Sequence, residues 1–185
     1  LVSLIGELSH LLTILFTTLN DLNLTPKLFQ LNNVKNNSIT PMIPIKLLMH
    51  INSPKSEVFK AITKANELSK WYTTIVKGDF KLDAIITFEF VNFAEFKFKV
   101  VSLTPDESVH LEIVESAGDN IGHIMKYDLD ENDGKTRVRF TYEGFNELDD
   151  SYANMNYSSA KYLESLRQYC QTGKGEAFGS SSYRS

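Results

Sequence analysis

Cysteine is nearly absent: Cys170 is the single one in 185 residues. No internal disulfide can form, which fits a reducing compartment, and a cytoplasmic location is expected. Positive charge is in deficit, with 19 Lys and Arg against 23 Asp and Glu and a formal net charge of -4. That balance disfavours phosphate backbones and anionic bilayers, so neither nucleic acid nor a membrane is an expected partner. Catalytic signatures are missing as well. There is no Gly-x-Ser-x-Gly, no phosphate-cradling Gly loop and no paired His/Cys metal spacing. The four histidines, His10, His50, His110 and His123, are scattered. Alternation turns His50 and His110 away from the core, so no metal and no cofactor is expected. Internal repeats and low-complexity stretches are absent from residues 42–172.

A long unbroken apolar run is also lacking. Residues 1–19 carry Leu4, Ile5, Leu8, Leu12, Leu15 and Leu19, roughly a helical stripe, but Glu7, His10 and several threonines dilute it. No Lys or Arg precedes Lys27, so the segment makes a poor secretory signal and a weak membrane span. Residues 20–37 are rich in Asn and Leu with little pattern, and Pro26, Pro41 and Pro44 punctuate the join. Residues 1–41 are therefore expected to be an extension. Either the native product starts at Met42, or these residues form a poorly ordered tail; the alternative is a genuine N-terminal helix.

What is present sharpens from Ile43. Ile45, Leu47, Met49 and Ile51 alternate with Lys46, Leu48 and His50, as in a strand with one buried face. Ser53-Pro54 signals a helix start with Ser as the cap, and the helix should run to Thr63 and bury Val58, Phe59 and Ile62. A second short helix is expected over 66–71, turning Leu68 and Trp71 inward. Phe80 is expected in a short edge strand. Five strands follow, with inward sets Ile86, Phe88, Phe90; Phe96, Phe98, Val100; Val109, Leu111, Ile113; His123, Met125, Tyr127, Leu129; and Val138, Phe140, Tyr142. Thr104-Pro105-Asp106 and Asp133-Gly134 are turns. Outward positions mix Glu89, Glu95, Lys97, Lys99, Glu112, Lys126, Arg137 and Arg139, a solvated face or a docking surface for a partner.

From Asp149 to Cys170 the period changes to that of a helix. Leu163, Leu166 and Cys170 form one apolar stripe, with Tyr162 and Tyr169 beside it, and Gly173 is placed to stop it. Strand, two helices, six strands and a long helix make an α+β order. Consecutive strands with short turns pair antiparallel, and only the last helix is long enough to cover their apolar face.

Several stretches resemble the START-like ligand-binding superfamily (SRPBCC). More narrowly they resemble its branch named after the activator of the ninety-kilodalton heat-shock protein ATPase. They are Ser53-Pro54, Val58 to Thr63, Leu68 with Trp71-Tyr72, Val100 to Pro105, Gly134 to Val138, Leu163 to Tyr169, and Thr172 to Gly175. The resemblance covers residues 42–178 and leaves 179–185 as a flexible tail. It implies a helix-grip fold, a curved antiparallel sheet of six to seven strands around the C-terminal helix with a cavity between. Two positions depart from the family pattern. Asp83-Ala84 stands where Gly-Gly is usual, which puts the local bend in question. Ser159 stands where a Trp is common, which should leave space unless a ring such as Tyr157 fills it.

The expected cavity lining is Trp71, Phe88, Phe98, His123, Tyr127, Tyr142, Tyr162, Leu166 and Tyr169. A mostly apolar cavity with a few polar tips is how small-molecule sites are built; the same tips also serve as packed core residues with local partners. Trp71 and Tyr72 are candidates to line the cavity mouth, and Trp71 serves equally well as a core plug. Cys170 is expected to be a small packing residue, since no base is placed to activate it. The expected function is non-catalytic binding of a small apolar molecule by a monomer or homodimer. The resemblance offers an alternative, a co-chaperone-like domain that stimulates a heat-shock ATPase. A cyclase- or hydrolase-like enzyme using His123 and a Tyr is the third reading.

Overall fold

The computed structural model describes residues 42–184; the reading of residues 1–41 lies outside the described residues. The elements are β1 (Ile45–Ile51), α1 (Lys55–Thr63), α2 (Ala65–Leu68), β2 (Ile75–Lys77), β3 (Ile85–Phe90), β4 (Ala94–Thr104), β5 (Ser108–Glu115), β6 (Ile124–Asn132), β7 (Lys135–Glu143) and α3 (Asp150–Thr172). The seven strands form one sheet in the order β1-β7-β6-β5-β4-β3-β2, every neighbouring pair antiparallel. This is the α+β helix-grip arrangement.

Alternation sets the inner face. Ile86, Phe88, Val100, Val109, Leu111, Ile113 and Val138 are buried, while their sequence neighbours point outward. The sheet curves because β4 slips register against β5 twice, between Lys97 and Phe98 and between Val100 and Ser102. Such bulges bend the strand that carries them. Asp83, at the Gly-Gly position, adopts φ 65, the left-handed conformation a glycine would supply. Its carboxylate pairs with Lys99 at 2.8 Å. An Asp tolerates this region better than most residues, so the bend survives the substitution.

The long helix opens at Asp149, whose side chain accepts from the Tyr152 amide at 2.8 Å. It stops at Gly173, φ 74, a left-handed cap that suits glycine. Leu163 and Leu166 are buried along its inner stripe. The helix approaches the sheet most closely at β1, and Asn52 there donates its amide to Gln171 Oε1 at 3.1 Å. Over the middle strands the gap widens.

Three local expectations are corrected. Ser53 does not cap α1. Pro54 occupies the cap position without a side-chain bond, and the Ser53 carbonyl instead accepts from Thr136 Oγ1 at 2.6 Å. The second helix is shorter than expected and ends at Leu68, leaving Trp71 in the turn that follows. The edge strand β2 lies at Ile75–Lys77 and excludes Phe80. No described helix is long and apolar enough to cross a membrane.

The chain does not leave the fold after α3. Ser165, buried on the helix, donates to the Trp71 carbonyl and accepts from the Glu176 amide, both at 2.7 Å. Phe178 then bridges to Thr73, donating to the Tyr72 carbonyl and accepting from the Thr74 amide, each at 3.0 Å. Residues 179–184, read from sequence as a flexible tail, fold back here. Arg184 pairs with Glu176 at 2.6 Å, and Lys161 Nζ donates to the Arg184 carbonyl.

Candidate functional site

Where helix and sheet part, a cavity of about 450 Å³ remains. Rings from the middle strands form its floor, including Phe90, Phe98, Tyr127 and Tyr142. The first half of α3 forms the roof with Met155, Ser159 and Tyr162. Phe178 and Tyr183 close one side from the returning C-terminal segment, their ring centroids 4.9 Å apart. Asn120 and Asn154 are the amide side chains on the wall, and no Asp, Glu, Lys, Arg or His is among the lining residues.

Of the nine residues expected to line the cavity, Phe98, Tyr127, Tyr142 and Tyr162 reach its wall. The other five lie elsewhere, each for a physical reason. Trp71 is buried in the core and donates its indole N–H to the Ala61 carbonyl at 2.9 Å. Phe88 sits one layer behind the wall, edge-on to Tyr72 and Phe98 with centroids 5.3 and 5.2 Å apart. Leu166 is buried beneath α3, in the half of the helix that packs tightly. Tyr169 is on the last turns of the helix, where it donates to Glu67 and accepts from Lys70 Nζ at 3.2 Å.

His123 precedes β6 and packs edge-on against Tyr142 and Phe145, with centroids 5.6 and 5.0 Å away. Gly144, at φ 135, lies against this ring, and any Cβ there would collide with it. Burial pushes the His123 pKa below the usual imidazole value, which keeps the ring neutral, and its Nδ1 is buried without a partner. Cys170 lies by a smaller pocket at the far end of α3, beside Glu57 and Glu67. Burial, then these two carboxylates, push its thiol up to about 12, so it is inert as a nucleophile at neutral pH. Among the described residues no cluster of His, Cys, Asp and Glu could hold a metal ion.

The substitution at Ser159 shapes the cavity. Ser159 is buried on the wall, while Tyr157, the ring that could have compensated for an indole, is 65% exposed. Tyr157 stacks instead under Lys161 Nζ, 5.7 Å from the ring centroid. The volume an indole would occupy stays open. Tyr72, a candidate for the mouth, does reach the wall, whereas Phe178 and Tyr183 also line it and belong to none of the inward-facing sets of the sequence. Those two come from the returning segment, which the bridge from Phe178 to Thr73 holds in place, and no local period marks them.

The polar tips on the wall are under-bonded. Tyr127 and Tyr72 direct their hydroxyls at Met125 Sδ, at 3.7 and 4.0 Å. The Tyr142 hydroxyl is buried with no partner, although the residue is only 3% exposed. Burial raises the pKa of Tyr72, Tyr127, Tyr142 and Tyr162 far above the usual phenol range, so each keeps its proton.

A curved antiparallel sheet gripping a terminal helix, with a ring-lined cavity between them, defines a START-like (SRPBCC) domain. The chain belongs to the family described as Activator of Hsp90 ATPase homolog 1-like protein, whose model matches residues 52–171. No curated protein matches the sequence. Among solved structures it is similar to the Aha1 dimer from Colwellia psychrerythraea, at 28% identity and TM-score 0.66, covering 72% of this chain and 99% of that one. It shares the fold of DynU16, a putative protein in the dynemicin biosynthetic locus, at 15% identity and TM-score 0.67. That match covers 76% of this chain and 51% of the other. CalU16 from Micromonospora echinospora also shares the fold, at 15% identity and TM-score 0.56, covering 71% and 75% of the two chains.

Proposed function

We propose that this domain holds a small, uncharged, largely apolar molecule between the sheet and α3, without carrying out chemistry on it. One observation carries the reading: a cavity of about 450 Å³ whose wall is ring-rich and bears no charged side chain. The volume falls within the usual range for small-molecule sites, about 300–1,000 Å³. A charged ligand would lose its hydration and find no counter-charge, which costs several kcal/mol or shifts its protonation.

The test is a fluorescence titration with the neutral dye N-phenyl-1-naphthylamine, on the wild type and on Ser159→Trp. The variant restores the indole that the family commonly carries and fills the open volume. Saturable one-to-one binding to the wild type, lost in the variant, is expected. No saturable binding, or identical binding to a folded variant, refutes the reading.

A second reading is interaction with a heat-shock ATPase, and the likeness to the Colwellia Aha1 structure favours it. The outer face of the sheet would be the contact surface. Its charges are largely paired across strands, as in Lys97 with Glu115 and Lys126 with Glu143, both at 2.7 Å. Unchanged turnover of such an ATPase on adding this chain removes that reading.

A further inference from the structure

Three phenols stand around Met125, those of Tyr127 and Tyr142 buried and that of Tyr72 partly so. The hydroxyls of Tyr72 and Tyr127 both reach Met125 Sδ, at 4.0 and 3.7 Å. Tyr142 is the partner of Met125 across β6 and β7, so its side chain stands beside the methionine on the same face. Its own hydroxyl has no partner at all. A thioether is a weak acceptor, and folded proteins rarely leave buried donors unpaired. These three hydroxyls are therefore donors with no strong acceptor bonded to them. All three residues line the cavity, as does Met125.

We propose that the ligand presents a carbonyl oxygen, as a ketone or quinone on an otherwise apolar ring-sized body, to the hydroxyls of Tyr72, Tyr127 and Tyr142. The proposal rests on the reading of the cavity as a binding site and adds the chemistry that orients its occupant. A carbonyl oxygen has two lone pairs, so it takes up two of the idle donors at once. A ligand hydroxyl can also accept, but it brings its own O–H donor to a place where donors are already unmatched, which a carbonyl does not. A carboxylate or phosphate would bring a charge that nothing on the wall compensates. The high phenol pKa values keep the protons available to a neutral acceptor.

Tetralin and 1-tetralone differ by one carbonyl and are the probes. Each is titrated by calorimetry into the full chain and into Tyr142→Phe. The readout is the ratio of the two association constants compared between wild type and variant, a comparison that cancels the difference in the probes' hydration. One lost hydrogen bond should lower the tetralone-to-tetralin ratio by up to about ten-fold in the variant, while tetralin binding is kept. Both probes binding both proteins with an unchanged ratio overturns the carbonyl assignment and leaves the cavity reading standing. Neither probe binding the wild type overturns both. If Tyr142→Phe fails to fold, Tyr127→Phe decides by the same ratio.

Discussion

Replacing Tyr142 by Phe should make the ligand-free protein more stable, the reverse of the usual outcome. A tyrosine hydroxyl with a good partner contributes about 1 kcal/mol, and its removal normally destabilises by that amount. Here the residue is 3% exposed and the hydroxyl is without a partner. The native state therefore carries the desolvation cost of an unmade bond, about 1–3 kcal/mol. Phe keeps the ring, and with it the edge-on contact to His123 at 5.6 Å, but discards that cost. For a domain of this size each kcal/mol moves the melting temperature by about 3 °C, so a rise of roughly 3–9 °C is expected. Thermal and urea melts of delipidated, ligand-free protein measure it. Tyr127→Phe, which forfeits only a weak bond to sulfur at 3.7 Å, should change stability less. A fall of 1 kcal/mol or more in Tyr142→Phe would mean that the hydroxyl has a partner after all, and the case for an idle donor would fail.

Other outcomes follow from the same packing. Leu166→Ala should cost roughly 2–5 kcal/mol in a urea melt, because that side chain is fully buried under α3; an unchanged midpoint would show that the inner stripe of the helix is misplaced. Asp130 accepts from Arg137 Nε and Nη2 at 2.6 and 2.8 Å and also pairs with Arg139, and these guanidiniums hold its carboxyl well below the usual carboxylate range. A depressed folded pKa gives stability that is present above the unfolded value, near 3.9, and is lost as pH falls below it. Asp130→Asn should therefore flatten the loss of stability below about pH 4, and a pH series of thermal melts reads the slope. The pair is partly exposed, so the effect should shrink in high salt. Cys170, its thiol raised to about 12, should resist iodoacetamide at pH 8 in the folded state and react on unfolding, as followed by mass spectrometry.

Much of the fold was legible because period-two and helical patterns are local. Ile86, Phe88 and Phe90 alternate, and all three are buried. The stop at Gly173 is where the chain turns. The space at Ser159 was also legible, since a missing indole is a missing volume. Alternation does not show which inward residues face open space and which face other side chains. That depends on the tilt of α3, which closes on β1 and lifts away over the middle strands. Hence Leu166 and Tyr162, four residues apart on one helix, end in packed core and on the cavity wall respectively. The returning segment was hidden for another reason. Ser and Gly dominate residues 179–182, and only the bridge from Phe178 to Thr73, more than a hundred positions away, shows that Tyr183 belongs to the wall.

The most direct measurement is a set of intermolecular nuclear Overhauser effects in the saturated complex with 1-tetralone. Contacts from the probe to the ring protons of Phe98, Tyr127, Tyr142 and Tyr162 together are the predicted result, since these four surround the cavity. Contacts confined to exposed apolar side chains such as Phe93, which is 77% exposed, or no contacts at saturating probe, would contradict it.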